Sequence, residues 1–161
     1  MLKEIDMQDE TVALEDLCSQ RMLSGRGEMV LESAETSDDN AFVVVLRLDG
    51  TLYWFQEDPE DGYRSSLKAI KKLRGWPQDV PRSTFVALDP VMVTLRIRRE
   101  SAEPELDSTR RDEVLYGLDE RTGLVLFEVG TEDTNDYYPR FVHRWSPEGV
   151  LPKWLAGRPP E

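Results

Sequence analysis

Carboxylates gather beside tyrosine at two places in this chain. One is Glu57-Asp58-Pro59-Glu60-Asp61-Gly62-Tyr63-Arg64-Ser65-Ser66, the other Gly130-Thr131-Glu132-Asp133-Thr134-Asn135-Asp136-Tyr137-Tyr138-Pro139. Each follows an apolar, strand-like run, and loops on a rigid scaffold are where binding and catalytic groups concentrate. Asp58, Glu60, Asp61, Asp133, Asn135 and Asp136 would together offer hard oxygen ligands of the kind Ca²⁺ and Mg²⁺ prefer. The calcium-loop spacing D-x-[DN]-x-[DN]-G is not met, because Pro59 stands where a second ligand belongs. Asp133 and Asn135 have the opening spacing, but no glycine or distal glutamate completes it. The same turns carry Tyr63, Tyr137 and Tyr138 with Arg64. Tyrosine and arginine dominate the centres of protein interfaces, so recognition of a partner is the other chemistry these turns suit.

Other reactive side chains point to little. His143 is the single histidine, and alternation along 138–145 groups it with Phe141 and Trp145, as a packed core-edge residue. General-base work needs a partner within hydrogen-bond reach, and the sequence nominates none. Cys18, the single cysteine, falls among the apolar positions of its segment and reads as a small buried hydrophobe. One cysteine and one histidine leave too few ligands for a zinc site. No G-x-S-x-G, G-x-G-x-x-G or G-x-x-x-x-G-K-[ST] occurs.

Charge says more. The formal net charge is −12, and residues 1–62 hold 16 acids against Lys3, Arg21, Arg26 and Arg47, whereas 63–161 balance at 16 and 16. A one-signed field attracts oppositely charged partners and repels phosphate backbones, which argues against nucleic acid. No run approaches the ~18 apolar residues of a membrane span. The amino terminus lacks the basic-then-apolar order of a signal peptide, so a cytoplasmic location is expected.

The elements that would position the turns follow from pattern. Leu14, Leu17, Cys18 and Met22 recur at helical spacing, which predicts a helix over 9–24 stopped by Gly25. Residues 28–35 read as an edge strand. Ala41 to Leu48 is β-branched and apolar on both faces, and Asp49-Gly50 is a hairpin signal leading back through Thr51 to Gln56. A second short helix is expected from Ser65 or Ser66 to near Gly75, with Leu67, Ile70 and Leu73 on its apolar face. Val91 to Arg98 alternates as a half-buried strand, 100–112 reads as an exposed excursion, and 113–118 pairs with 124–129 across a five-residue loop. Tyr138 to Trp145 is the last strand.

These elements predict a single α+β domain over 1–161, with an antiparallel sheet of about five to seven strands, two short helices and a Pro-rich tail from about 146. The expected core holds Phe42, Val44, Leu46, Leu52, Trp54, Val93, Leu95, Leu126, Phe127 and Phe141. The function read from the sequence is a cytoplasmic, non-enzymatic binding module without cofactor. Its expected partner is a basic protein, as for an inhibitor or immunity-type protein that neutralises a toxin. The partner-binding residues are Asp58, Glu60, Asp61, Tyr63, Arg64, Asp133, Asn135, Asp136, Tyr137 and Tyr138. Two alternatives stay open: a carboxylate-based, metal-dependent enzyme at the two turns, and a structural domain whose acidity serves solubility.

Overall fold

The computed structural model describes residues 9–31, 40–60, 64–77, 80–99, 112–133 and 139–145. Their strands are β1 (Glu10–Val12), β2 (Gln20–Leu31), β3 (Ala41–Leu48), β4 (Thr51–Pro59), β5 (Ser65–Leu67), β6 (Ile70–Lys72), β7 (Phe85–Arg98), β8 (Glu113–Asp119), β9 (Val125–Asp133) and β10 (Pro139–Trp145). A single helical turn, α1 (Leu14–Leu17), and a 3-10 turn at Arg82–Thr84 complete the described elements. The strands form one antiparallel sheet in the order β1-β6-β4-β3-β2-β7-β8-β9-β10, with β5 also paired to β4. This overturns the α+β expectation: the described chain is mostly antiparallel sheet, with ten strands rather than five to seven and no second α-helix.

The sheet rolls on itself, so that side chains from strands far apart in its order touch across the concave face. Phe42 of β3 stacks on His143 of β10, and Arg26 of β2 lies over Trp145 of β10. The roll is filled by alternate residues: Val44, Leu46 and Leu48 of β3, Tyr53 and Phe55 of β4, Val93 and Leu95 of β7, and Phe127, Val129 and Phe141 of β9 and β10. Leu14 and Leu17 of α1 join this cluster. Outside the roll, Val43, Val45, Trp54 and Leu73 form a second cluster, against which Trp76, Val80 and Phe85 pack. β3 is therefore buried on both faces, as its unbroken apolar run requires. Of the expected core, Phe42 and Leu52 are half-buried and the other eight residues are buried. Leu52 and Trp54 belong to the outer cluster rather than the inner one.

Two physical causes account for the lost helices. Leu14 and Leu17 do share one face of a helical turn, but from Gln20 onward the chain pairs with both β3 and β7. Gly25, expected to stop a helix, lies within β2 with the Phe85 ring in the space where a Cβ would stand. Gly25 and Gly27 are also weak helix formers, so strand pairing on two edges outweighs the local spacing. Cys18, expected to be buried, is exposed beyond the end of α1. In the second stretch the spacing of three arises from two strands joined at Lys68-Ala69. Leu67 and Ile70 pack into the roll while Leu73 packs outside it, so the three never share a face. Of the expected edge strand at 28–35, residues 28–31 form the end of β2 and pair with β3 alone, since the β7 ladder stops at Gly27, and 32–35 lie outside the described residues. Nearly all of the 100–112 excursion, and the tail from 146, lie outside the described residues.

Candidate functional site

The first acidic stretch begins as strand. Glu57, Asp58 and Pro59 of β4 pair with Leu67, Ser66 and Ser65 of β5, and the Glu60 amide donates to the Arg64 carbonyl at 3.0 Å. The second begins at the end of β9, where Asp133 pairs with Pro139 and Thr131 with Phe141. β5 then joins the two. The Ser65 hydroxyl accepts from the Phe141 amide at 2.9 Å, and the Leu67 amide donates to Thr131 Oγ1 at 2.8 Å. Ser65 is buried, at 6 % exposure. Two backbone amides along this seam are thus satisfied by side-chain hydroxyls, as buried amides require.

Asp58, Glu60 and Arg64 are exposed at the root of the first turn, and Asp133 is the last residue of β9. Asp61, Tyr63, Asn135, Asp136, Tyr137 and Tyr138 lie outside the described residues. The structure therefore brings together the strand segments that carry both turns. A cleft of about 210 Å³ opens beside the seam, with Leu14, Leu67 and Ile70 in its walls and Glu15 and Glu113 among its polar lining. Arg99 bridges those two carboxylates at 3.1 and 3.2 Å.

Sequence reasoning missed Ser65 and Thr131, reading the first as a helix cap and the second as a turn residue. It also missed Arg26. That side chain is buried at 2 % exposure, pairs with Glu28, and holds its guanidinium carbon 3.7 Å from the centroid of Trp145. No local signal announced it: the flanking Gly25 and Gly27 accommodate Phe85 on the opposite face of β2, and Trp145 comes from a distant strand.

His143 faces the roll. Its ring stacks on Phe42 with centroids 4.0 Å apart and planes 11° from parallel, and lies 5.8 Å from Phe141. Burial pushes its pKa down first. The Arg26 and Arg144 cations push the same way, while Glu57 opposes them. Glu57 Oε1 is engaged by the Phe42 amide at 3.1 Å. This environment disfavours the charged imidazole and leaves the ring packed. Among the described residues no group of three or more His, Cys, Asp or Glu side chains is gathered to hold a metal ion. No helix among them is long and apolar enough to cross a membrane. No family model, curated protein or solved structure matches the chain.

Proposed function

We propose that the protein is a non-enzymatic, cytoplasmic binding module that presents its two acidic turns as one recognition surface to a more basic protein. An inhibitor or immunity-type role toward a basic toxin is the concrete form of this reading. One observation carries it: β5 ties the roots of both turns together through Ser65–Phe141 and Leu67–Thr131. Roots joined on one seam support a reading in which both turns face one partner. The sign of the partner follows from the −12 net charge and its confinement to residues 1–62.

Charge complementarity acts mainly on the rate of encounter, and it is screened over a Debye length of ~8 Å at physiological ionic strength. Affinity capture from the native host, followed by association kinetics on the purified pair, tests the proposal. The expected partner has a basic pI and an on-rate that falls as salt rises. Replacing Asp58, Asp61, Asp133 and Asp136 together by Asn slows association without unfolding the protein. Tyr63→Ala and Tyr138→Ala speed dissociation, because aromatic anchors at an interface centre act on the off-rate. A neutral or acidic partner, or an on-rate indifferent to salt and to the four substitutions, overturns the proposal.

A further inference from the structure

The chain's one histidine joins two strands that stand far apart in the sheet. β2, β7, β8 and β9 lie between β3 and β10 in the sheet order, yet His143 and Phe42 stack face to face across the roll. Charged groups reach this contact from several strands. β2 brings Arg26 with its partner Glu28 and β4 brings Glu57, while Arg144 of β10 acts on it from the opposite face, where it pairs with Glu128 and Glu132. The Arg26 cation already occupies the face of Trp145, two residues along β10 from His143. Glu57 is engaged by the amide of Phe42, on the facing strand.

A proton added to His143 would set a second cation beside Arg26 in a partly dehydrated space. An imidazolium over a phenyl face gains some cation–π attraction. Desolvation and the Arg26 charge act against it and prevail in the direction of the pKa shift. We propose that His143 is a pH-operated clasp: neutral, it holds β10 against β3 across the roll, and protonated, it lets β10 go. β10 and β9 together carry the second acidic turn, so the clasp governs how firmly that turn is rooted.

The sign follows from linkage. The folded pKa lies below the ordinary 6.5, so the unfolded chain takes up a proton first as pH falls. The clasp's contribution is complete above the ordinary value and is lost as pH falls through the folded one. Amide hydrogen exchange on the full chain at about pH 7.5 and about pH 5.5, a window only an unperturbed histidine crosses, reads this directly. After correction for intrinsic exchange chemistry, protection of residues 141–145 should fall severalfold, up to a ceiling of about tenfold set by reading one unit below the ordinary 6.5, with β3–β4 unchanged. His143→Phe keeps the stack but cannot titrate, and should hold its protection at both pH values. Equal losses in both proteins, or no loss in the wild type, overturn the proposal. In the unaltered chain, nuclear magnetic resonance gives an independent check. The amides of 141–145 should titrate with the imidazole, at a midpoint below 6.5. Amides that do not follow the ring, or a higher midpoint, overturn it equally.

Discussion

The β3–β4 pair and the β5 seam hold neighbouring parts of one sheet by different means. β3 and β4 run in unbroken register from Val43↔Gln56 to Leu48↔Thr51. Their turn is set by Asp49 and Gly50, both at positive φ (54° and 80°), the geometry that matches strand twist in a two-residue hairpin. Side chains of this pair fill the roll on one face and the outer cluster on the other. At the seam β5 supplies three residues, and among the described residues its hydrogen bonds to β9 and β10 are the two hydroxyl contacts of Ser65 and Thr131. A ladder is redundant, because each hydrogen bond has neighbours that keep the strands aligned when one opens. Two isolated hydroxyl bonds have no such cover, so the region that roots the acidic turns should open at lower free energy than the hairpin.

The most forceful way to break this contrast is to remove a large ring from the hairpin. Phe55 is fully buried inside the roll, and Trp54 is buried in the outer cluster with its indole N–H donating to Gln56 Oε1 at 3.0 Å. Phe55→Ala and Trp54→Ala should each cost about 3–5 kcal/mol of stability, as aromatic truncations in packed cores do. Denaturant unfolding of the two variants checks this. A Trp54→Ala protein as stable as the parent would show that the outer cluster adds nothing and that β3 needs only its inner face.

This hairpin was also the most legible part of the sequence, for the same reason that it is strong. An apolar β-branched run and an Asp-Gly turn are local signals, and here local preference and tertiary pairing agree. The β8–β9 pair, with its turn around Gly123, was readable on the same grounds. Helices expected at 9–24 and near 65–75 failed because spacings of three and four also arise when a strand turns a corner. Only the partners, β3 and β7 for β2, and β4, β9 and β10 for β5, decide between the two. The acidic turns were visible from composition, but the bond between their roots was not. Ser65 and Thr131 are 66 positions apart, and nothing in either residue's surroundings announces the other. The burial of Arg26 was hidden likewise, and so was the partner of His143, since Trp145 and Phe42 come from distant strands.

A smaller perturbation sharpens the seam's side of the contrast. Ser65→Ala leaves the buried Phe141 amide without its acceptor, and an unsatisfied buried donor costs about 1–3 kcal/mol. Thr131→Val deprives the Leu67 amide in the same way, whereas Thr131→Ser retains a hydroxyl and should recover most of the loss. Hydrogen exchange should localise the effect of Ser65→Ala to residues 139–145, leaving β3 and β4 protected. Loss spread evenly over the sheet would mean that the seam and the hairpin open as one unit.

The smallest effect concerns the outer surface of the β9–β10 pair, where β10 is held to β9 by charge as well as by its ladder. Arg144 reaches Glu128 at 2.8 Å and Glu132 at 2.5 Å, and Arg98 of β7 reaches the same two carboxylates at 2.8 and 2.5 Å. The Arg144 hydrogen bond is the main cause that lowers the Glu132 pKa below its ordinary 4.5, with burial opposing it. A depressed carboxylate pKa means that the unfolded chain binds the proton first. The stabilisation is thus present above about pH 4.5 and is lost as pH falls through the folded value. Arg144 is about half exposed, so solvent screens the pairing and its worth belongs with surface ion pairs, about 0–1 kcal/mol. Glu132→Gln should therefore cost no more than this near neutral pH, should lose even that in high salt, and should flatten the acid limb of the stability curve. Urea unfolding as a function of pH, with and without added salt, measures all three. A cost as large as that of Ser65→Ala would reverse the ranking and make the charged outer face, not the hydroxyl seam, the principal hold on β10.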